Sequence, residues 1–416
     1  MKQKEEQVYA RYIGVDGHKD YVVIGGINAQ LEQALQQRRM SLERFARWAP
    51  KNLRETDAVV IEASTNTWTL HDLMAPWAGK VVVVHPPKVK LITCARVKTD
   101  KRSVYDLARL LLVGWLPEVW VPPDHVRDLR ALVSHRWRLV RTRAAAMNRL
   151  HSVLQRNALQ APRGSIFTDK HRDWWEQLDV SPTERLRIRQ DLDTVDHLTV
   201  QIEDVEAEIK RLSTNPPWAD QARYLMQLPG FGLKVTMTVL AAIGDIIRFP
   251  MDKKLVGYSG LGAGVHDSGK THRGKGITKE GRKELRWALV EAAHHAVRTH
   301  PYWKAEFERL TKRIGKHKAY VAIARKLLVA VWHVLTKREV ARFTDEHQVA
   351  RKMMTWSGKL TEEHRHGMNT PQFVRYQLLR LGIGDEIAHV QSGSRKRRIA
   401  SAKEVLALHP ELQPPV

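Results

Sequence analysis

Short apolar runs alternate with helix-like segments in the first part of the chain. Continuous, β-branched runs predict strands at residues 12–16, 21–27, 58–62 and 81–84. Apolar positions with helical spacing predict helices at residues 42–48 and 104–113. Strands that alternate with helices are typical of an α/β sheet covered on both faces. We therefore expect an α/β domain over residues 1–123.

A seven-residue apolar repeat dominates the middle of the chain. One long helix is predicted to carry it at Val126, Val133, Val140, Met147 and Leu154. A second helix begins at the capping-box sequence of residues 181–184 and carries it at Ile188, Val195, Ile202 and Ile209, with Leu198, Val205 and Leu212 at the other core position. This composition favours a parallel two-stranded coil between two copies. An antiparallel hairpin packed on itself fits equally well, so residues 124–215 are expected to form a helical, coiled-coil insertion of either kind.

The densest glycine motifs lie in a third, mainly helical unit, expected over residues 216–340. The sequence LPGFG at 228–232 precedes an apolar helix and resembles the hairpin of a helix-hairpin-helix element. Glycines there let backbone N–H groups approach a phosphate. A plain tight turn explains the motif equally well. Residues 341–416 are expected to form a basic helical tail with a cationic cluster at 395–398.

The net charge of the chain indicates what kind of partner it binds. Lys and Arg total 69 against 45 for Asp and Glu, which gives +24. So much like charge repels itself unless a polyanion neutralises it, and a nucleic-acid backbone does so with counterion release. Nucleic acid is therefore the expected partner, and an anionic membrane is the lesser alternative.

Other features of the composition favour a cytoplasmic, nucleoid-associated protein without a membrane span. No apolar run reaches the ~18 residues that a span requires, and the N-terminus lacks a secretory pattern. The one cysteine excludes an intrachain disulfide and a cysteine-based zinc site.

Two of the predicted strands end on a carboxylate, at Asp16 and Glu62. Two further acids, Asp100 and Asp106, lie on or before the helix that follows the last strand. Carboxylates at strand ends can meet at one edge of a sheet, and hard oxygen ligands suit Mg²⁺ or Mn²⁺. Two such ions, about 4 Å apart, would clamp both reacting oxygens of a phosphodiester. Four unrelated surface carboxylates are the alternative.

Ser268 opens a stretch with seven Lys/Arg residues and four glycines that ends at Arg286. The pattern predicts a flexible loop that leads into a helix and follows a phosphate backbone. The expected contacts are Lys270, Arg273, Lys275, Lys279, Arg282, Lys283 and Arg286. A serine in this setting can act as a nucleophile, activated by the surrounding positive charge. A Ser-Gly pair by itself is more often a turn.

At these residues the chain resembles the bacterial insertion-sequence transposases of the IS110 and IS1111 type, also called bridge-RNA-guided or DEDD recombinases. The matching strings follow the family's order over residues 10–335 and include YIGVDGHK, VVIEAS, VKTDKRSVYDLARLL, LPGFGLKVTMTVLAAIGDIIRF and GYSGLGAGVHDSGKTHRGKGITKEGRKELRWALVEAA. The resemblance implies a RuvC-like, RNase H-fold N-terminal domain, a coiled-coil insertion and a mainly α-helical transposase domain with a catalytic serine.

Residue by residue, the resemblance assigns the first three acids to Asp16, Glu62 and Asp100, and the nucleophile to Ser268. Ser103 stands where the family usually has its fourth acid. Asp106 is therefore predicted to take that role. The resemblance also implies donor and target DNA, a noncoding guide RNA, and a homo-oligomer whose protomers share active centres.

The function expected from the sequence is transposition, by metal-assisted serine transesterification of DNA. Two alternatives stay open. One is a metal-dependent, junction-resolving RuvC-like endonuclease in which Ser268 is structural. The other is a non-catalytic nucleic-acid-binding protein whose acidic site has decayed at Ser103.

Overall fold

A computed structural model describes residues 8–93, 100–268 and 271–412. Side chains are described for these residues except 93, 100–102, 265–268, 271–275, 392 and 412. The chain divides into two compact units, Met1–Pro123 and Asp124–Val416.

The first unit is a mixed sheet with helices on its two faces. Its strands are β1 (Arg11–Gly17), β2 (Tyr21–Ile27), β3 (Gln33–Ser41), β4 (Asp57–Glu62), β5 (Lys80–Val84) and β6 (Glu118–Val119). Its helices are α1 (Leu42–Asn52), α2 (Thr67–Met74), α3 (Pro86–Thr93) and α4 (Asp100–Leu112). The strand order is β3-β2-β1-β4-β5-β6; β1, β4 and β5 run parallel and β2, β3 and β6 are antiparallel to their neighbours. The α/β prediction for this region is confirmed.

Alternation along β1 divides its side chains between two apolar clusters. Ile13 and Val15 belong to the cluster that contains Phe45 of α1. Tyr12, on the opposite face, belongs to the cluster that contains Leu107 of α4. Both faces of the sheet are therefore covered, as the apolar strands required.

The edge strand β3 was not predicted from the sequence. Its segment, QALQQRRMS, is mostly polar and exposed, and only Met40 is fully buried. An edge strand needs no continuous apolar run, because its backbone pairs with one neighbour while most of its side chains face water. Its pairing with β2 is visible only in the tertiary structure.

The second unit is mainly helical and contains two β-hairpins. Its helices are α5 (Asp124–Arg156), α6 (Arg172–Glu176), α7 (Pro182–Ser213), α8 (Ala219–Met226), α9 (Leu233–Ile243), α10 (Asp252–Ser259), α11 (Lys283–Thr299), α12 (Pro301–Ile314), α13 (Lys316–Lys337), α14 (Glu346–Ser357), α15 (Thr370–Leu381) and α16 (Ala402–Leu406). Its strands are β7 (Ala263–Ser268), β8 (Thr271–Ile277), β9 (His389–Ser392) and β10 (Arg395–Arg398).

The two heptad-bearing helices, α5 and α7, pack against each other within the chain. Ion pairs across them join Arg136 to Glu206 at 2.7 Å, Arg149 to Asp191 at 2.5 Å and Arg156 to Glu184 at 3.2 Å. The residue numbers rise on one helix as they fall on the other, so the pair is antiparallel. The intramolecular hairpin thus accounts for the apolar repeat, which gives no separate evidence for a dimer.

The start of α7 follows the expected N-cap chemistry. Ser181 is the N-cap, and its side chain accepts a hydrogen bond from the backbone N–H of Glu184 at 3.2 Å. The Glu184 carboxylate pairs with Arg156 and Arg187. This cap fixes where the second helix of the hairpin begins.

The tail after residue 340 has an apolar core, which the polar sequence pattern did not predict. Phe373 and Leu378 of α15 are buried in one cluster with Met353 of α14. Arg375, only 2% exposed, donates hydrogen bonds to the carbonyls of Gly384, Ile387 and Ala400. The basic cluster at residues 395–398 forms the exposed strand β10.

One described helix, α13, is long and apolar enough to cross a membrane by length and composition alone. In the structure it packs against α8, α10, α11 and α12, and residues such as Leu327 and Val331 are fully buried. This is the packing of a core helix.

Candidate active site: the acidic edge and the serine hairpin

The first two predicted acids are neighbours at one edge of the sheet. β1 and β4 are parallel, and Val15 pairs with Ile61, so the next residues, Asp16 and Glu62, lie side by side. Adjacent strands are about 4.8 Å apart, and residues in register point to the same face. The structure therefore brings together two carboxylates that are distant in sequence.

Helix α4 covers that face because two glycines let it approach. A Cβ on Gly14 would lie 1.9 Å from the Val104 carbonyl oxygen. A Cβ on Gly25, which pairs with Gly14 across β1 and β2, would lie 2.9 Å from the Val104 side chain. Gly14 and Asp16 are two residues apart on one strand and so share this face.

The direction of α4 places its first residue towards the acids. Leu107 and Leu111, later in the helix, share a cluster with Tyr12, on the far side of Gly14 from Asp16. The helix thus runs antiparallel to β1. Asp100 begins the helix one turn before Val104 and so lies towards Asp16 and Glu62. We call the carboxyl ends of β1 and β4, together with the start of α4, the acidic edge.

Asp106 lies farther along the same helix. Its position is six residues after Asp100, about 9 Å along the helix axis and away from the acidic edge. Its carboxylate, 37% exposed, accepts a hydrogen bond from Arg109 at 3.1 Å. Asp106 as a fourth acid stays a prediction, and this placement does not favour it.

Ser103 occupies the buried side of α4. It is 5% exposed, and its hydroxyl has no hydrogen-bond partner among the residues that the structure describes. Val104 lies against Gly14 and Gly25, and the Tyr105 hydroxyl donates a hydrogen bond to the Leu35 carbonyl, so both residues face β1, β2 and β3. Ser103 is therefore on the β4 side of the helix, one turn after Asp100.

His18 is a residue at the acidic edge that sequence reasoning did not single out. Its Nε2 is 3.6 Å from the Asp16 carboxylate, and its ring stacks on Tyr21 with centroids 4.3 Å apart. Asn66 donates a hydrogen bond to the His18 carbonyl at 2.9 Å. The only sequence signal is the position of His18, two residues after a strand-ending aspartate.

The donor chemistry of the acidic edge fits a hard divalent cation. Among the side chains that the structure describes, no group of three or more His, Cys, Asp or Glu residues is placed to hold an ion. The two described carboxylates, Asp16 and Glu62, supply oxygen ligands, and the side chain of Asp100 lies outside the described set. Oxygen donors without thiolates suit Mg²⁺ or Mn²⁺.

The prediction of a flexible loop at Ser268 is wrong. Strands β7 and β8 pair there as a two-stranded antiparallel ribbon. Ser268 is the last residue of β7 and pairs with Thr271, the first residue of β8. Lys270 falls outside the described residues, as do the side chains of Ser268, Arg273 and Lys275. Paired strands hold their backbone more rigidly than a loop does, so the ribbon fixes the position of the serine. We call β7 and β8 the serine hairpin.

Two glycines clamp the base of the serine hairpin. Gly260 has φ +70°, and a Cβ there would lie 1.9 Å from the Glu280 carbonyl oxygen. Gly281 has φ +105°, and a Cβ there would lie 2.1 Å from the Tyr258 carbonyl oxygen. Positive φ and close backbone approach both require glycine at these positions. The two chain segments that enter and leave the hairpin are therefore held in direct contact.

Basic residues brace the same base. Arg282 donates a hydrogen bond to the Tyr258 hydroxyl at 3.2 Å, and Arg286 donates to the carbonyls of Ser259 and Gly281 at 3.1 Å. Burial raises the pKa of Tyr258, but nearby guanidinium groups outweigh it and hold that pKa below its usual value. Arg282 and Arg286, two of the predicted nucleic-acid contacts, thus form hydrogen bonds within the protein that support the base of the hairpin.

Lys279 and Lys283, two more of the predicted contacts, are exposed. Lys279 adopts a positive φ of 58° just before the glycine clamp. Their ammonium groups are available to solvent at the start of α11.

The predicted helix-hairpin-helix element has the expected local order. Helix α8 ends at Met226, the LPGFG turn follows, and α9 begins at Leu233. Gly230 has φ +80°, and a Cβ there would lie 2.1 Å from the Ala292 carbonyl oxygen of α11. The turn is thus pinned against a neighbouring helix.

Comparisons with known proteins match both of these regions. A transposase family model of the DEDD, IS110 type matches residues 13–158, and the model described as the transposase IS116/IS110/IS902 family matches residues 222–308. Together they cover more than half of the chain. The first match includes the acidic edge, and the second includes the serine hairpin.

Individual relatives agree with the family models. The putative transposase y4qE of Sinorhizobium fredii is 31% identical over 62% of this chain and 60% of its own length. The transposase for insertion sequence element IS1111A of Coxiella burnetii is 26% identical over 82% of this chain and 94% of its own length. The pilin gene-inverting protein of Moraxella bovis is 28% identical over 67% of this chain and 79% of its own length.

The glycine contact beneath α4 gives a test of the acidic edge. Gly14→Ala should push α4 away from β1, lower stability by about 1–3 kcal/mol and weaken Mn²⁺ binding at least tenfold. Thermal unfolding and calorimetric titration with Mn²⁺ measure the two effects. Gly257→Ala is the matched control, because a Cβ there meets nothing within 4 Å. Unchanged Mn²⁺ affinity in a folded Gly14→Ala protein would contradict the proposed geometry.

Proposed function

We propose that this chain, which belongs to the IS116/IS110/IS902 family of transposases, recombines DNA of a mobile insertion sequence by a metal-assisted attack of Ser268. Relatives named for transposition and for gene inversion support an enzyme that rearranges DNA. The observation that carries the proposal is the pairing of Asp16 with Glu62 beneath the start of α4.

The acidic edge is proposed to bind the scissile phosphate through a cation. Asp16, Glu62 and Asp100 would hold Mg²⁺ or Mn²⁺, which neutralises charge on a phosphate and polarises it towards attack. The His18 Nε2 lies 3.6 Å from the Asp16 carboxylate and is therefore next to the proposed cation site. The Asp106 carboxylate, proposed from the family resemblance as the fourth acid, accepts a hydrogen bond from Arg109, and Ser103 is buried on the sheet side of α4.

The serine hairpin is proposed to deliver the nucleophile. The Ser268 oxygen forms a bond to phosphorus while the bond from that phosphorus to one deoxyribose oxygen breaks. The serine gives up its proton, and the departing sugar oxygen takes one up. Because one phosphate ester replaces another, the step is reversible, and rejoining the strand needs no ATP. A serine hydroxyl is a weak nucleophile at neutral pH, so it depends on help from the phosphate-binding site.

Guide RNA and a homo-oligomer complete the proposal. The net charge of +24 suits simultaneous binding of DNA and structured RNA. An oligomer would let the serine of one protomer meet the acidic edge of its partner. Both features rest on the family resemblance and the charge.

The covalent step is tested by trapping it. Ser268→Ala should keep DNA binding but lose strand cleavage and the protein–DNA adduct, whereas Asp16→Asn should lose both although Ser268 is present. Thr271→Ala, which removes the hydroxyl across the hairpin, is the matched control and should still form the adduct. The reaction is stopped with denaturant, the DNA is digested, and the modified peptide is mapped by mass spectrometry.

Two results would redirect this proposal. Cleavage by Ser268→Ala without an adduct would favour a junction-resolving nuclease that uses the acidic edge alone. Metal-independent binding with no cleavage by the parent protein would favour a non-catalytic protein.

The role of Asp106 is tested by separating its carboxylate from its ion pair. Asp106→Asn and Arg109→Gln both break the pair, but only the first removes a carboxylate. If the site works with three acids, recombination should stay within about twofold of the parent for both variants, because an exposed ion pair adds little to stability. A loss of recombination confined to Asp106→Asn would establish Asp106 as the fourth acid.

Bound RNA is the test of the guide-RNA proposal. Protein purified at low salt should carry RNA, and its affinity for structured RNA should fall steeply as salt rises, because each neutralised phosphate releases counterions. Extraction followed by sequencing, and binding measured over a salt series, check this. Protein that is free of RNA at low salt and does not bind structured RNA would refute it.

A further inference from the structure

A large cavity lies in the second unit, beside the LPGFG turn. Its volume is about 1070 Å³, and its walls come from α7, the turn and first residues of α9, α11 and α14. We call it the turn cavity. It involves no residue of the acidic edge or of the serine hairpin.

Cations outnumber carboxylates on its walls. The lysine and arginine residues that line it are Lys210, Lys234, Arg351, Lys352 and Lys359. The carboxylates are Glu203, Glu206 and Glu291. Glu206 is already paired, with Lys234 at 2.6 Å and with Arg136 at 2.7 Å. The remaining excess of positive charge is suited to an anionic ligand.

Lys352 is the most constrained of these cations. Its ammonium donates a hydrogen bond to the Leu228 carbonyl, just before the turn, at 2.6 Å. Burial lowers its pKa to about 7, while the Asp345 carboxylate opposes that shift. An ammonium has three N–H donors, and the bond to Leu228 uses one of them. An anion in the cavity that accepted a hydrogen bond from Lys352 would stabilise the charged form.

The turn itself is open to a ligand. Gly230 is pinned to α11, but a Cβ on Gly232 would meet nothing within 4 Å. Gly232 is the N-cap of α9, and no side chain caps the backbone N–H groups of its first turn. Residues 232–235 line the cavity. The partial positive charge of the α9 N-terminus therefore adds to the positive potential of the lysines in the cavity.

An aromatic side chain completes the wall. Trp287 of α11 lines the cavity and is 44% exposed. An exposed indole beside cations is a surface on which a nucleotide base can stack, whatever the base. Phosphate contacts and a stacking surface together fit a nucleic-acid strand better than a small inorganic anion.

We propose that the turn cavity binds the phosphodiester backbone of a nucleic acid, with Lys210, Lys352 and Lys359 as phosphate contacts. The inference rests on the proposed function, since it assigns that enzyme a second nucleic-acid site. It also gives the tail a function. Helix α14, beyond the family match at residues 222–308, supplies two of the cavity's cations, Arg351 and Lys352.

Binding measured over a salt series tests the cavity. The variants are Lys352→Gln and a double variant, Lys210→Gln with Lys359→Gln, which leaves the bond to Leu228 intact. Lys337→Gln is the matched control, because Lys337 lies in the same unit, pairs with Glu339 at 3.4 Å and does not line the cavity. The probes are duplex DNA from an end of the element and a structured RNA, each with the full-length protein.

We expect both cavity variants to lose affinity at least tenfold. The log–log salt slope should fall by about 0.7 per lost contact on a single strand or about 0.9 on a duplex. Lys337→Gln should match the parent. Loss with RNA alone or with DNA alone supports the proposal and identifies the strand. Parent-like affinity and slope in both variants would overturn it, while the Ser268 adduct would leave the proposed function standing. A parent protein that binds neither probe would overturn both.

Amine labelling of the parent protein gives a readout that needs no variant. An amine-reactive reagent should modify Lys210 and Lys359, which line the cavity and are accessible to solvent, and bound nucleic acid should protect them. Lys337 should be labelled to the same extent with and without nucleic acid. Undiminished labelling of Lys210 and Lys359 at saturating nucleic acid would overturn the proposal.

Discussion

The contact between α4 and the glycine pair Gly14 and Gly25 is the constraint on which the acidic edge depends. Because Gly14 and Gly25 have no Cβ, the backbone of Val104 lies directly against the sheet. That approach sets the height and direction of α4 and brings its first residue towards Asp16 and Glu62. Overpacked cores relax by moving backbone, and here the backbone that would move carries a proposed ligand, Asp100.

A similar constraint organises the serine hairpin. Gly260 and Gly281 hold the two ends of the hairpin in backbone contact, and Arg286 donates hydrogen bonds to the carbonyls of Ser259 and Gly281. The nucleophile proposed at Ser268 is thus at the end of a paired ribbon with a fixed base. The acidic edge and the serine hairpin each depend on close backbone packing that only glycine permits.

The positive charge of the chain is divided between structural and available groups. Arg282, Arg286 and Arg375 are bonded to protein atoms, and Arg375 supports the fold of the tail. Lys210 and Lys359, by contrast, line the turn cavity, which a polyanion can enter. A basic composition therefore indicates a nucleic-acid partner, but the structure is needed to tell which cations are free to bind it.

Local pattern determined much of the first unit. Apolar runs that end at Asp16 and Glu62 encode buried strands and the acids at their ends, because burial and strand length are local properties. The heptads encoded two long helices, and Ser181 encoded the start of the second. The serine and its basic surroundings were also visible as a sequence motif.

Only the tertiary structure decided what depends on contacts between distant residues. The polar strand β3 exists because β2 offers it backbone partners, and the segment after Gly262 is a hairpin rather than a loop because two strands pair. The choice between Asp106 and Ser103 turns on which side of α4 faces the sheet. Lys352 reaches the turn cavity through the packing of α14. Each of these depends on long-range pairing or helix orientation, which no local pattern specifies.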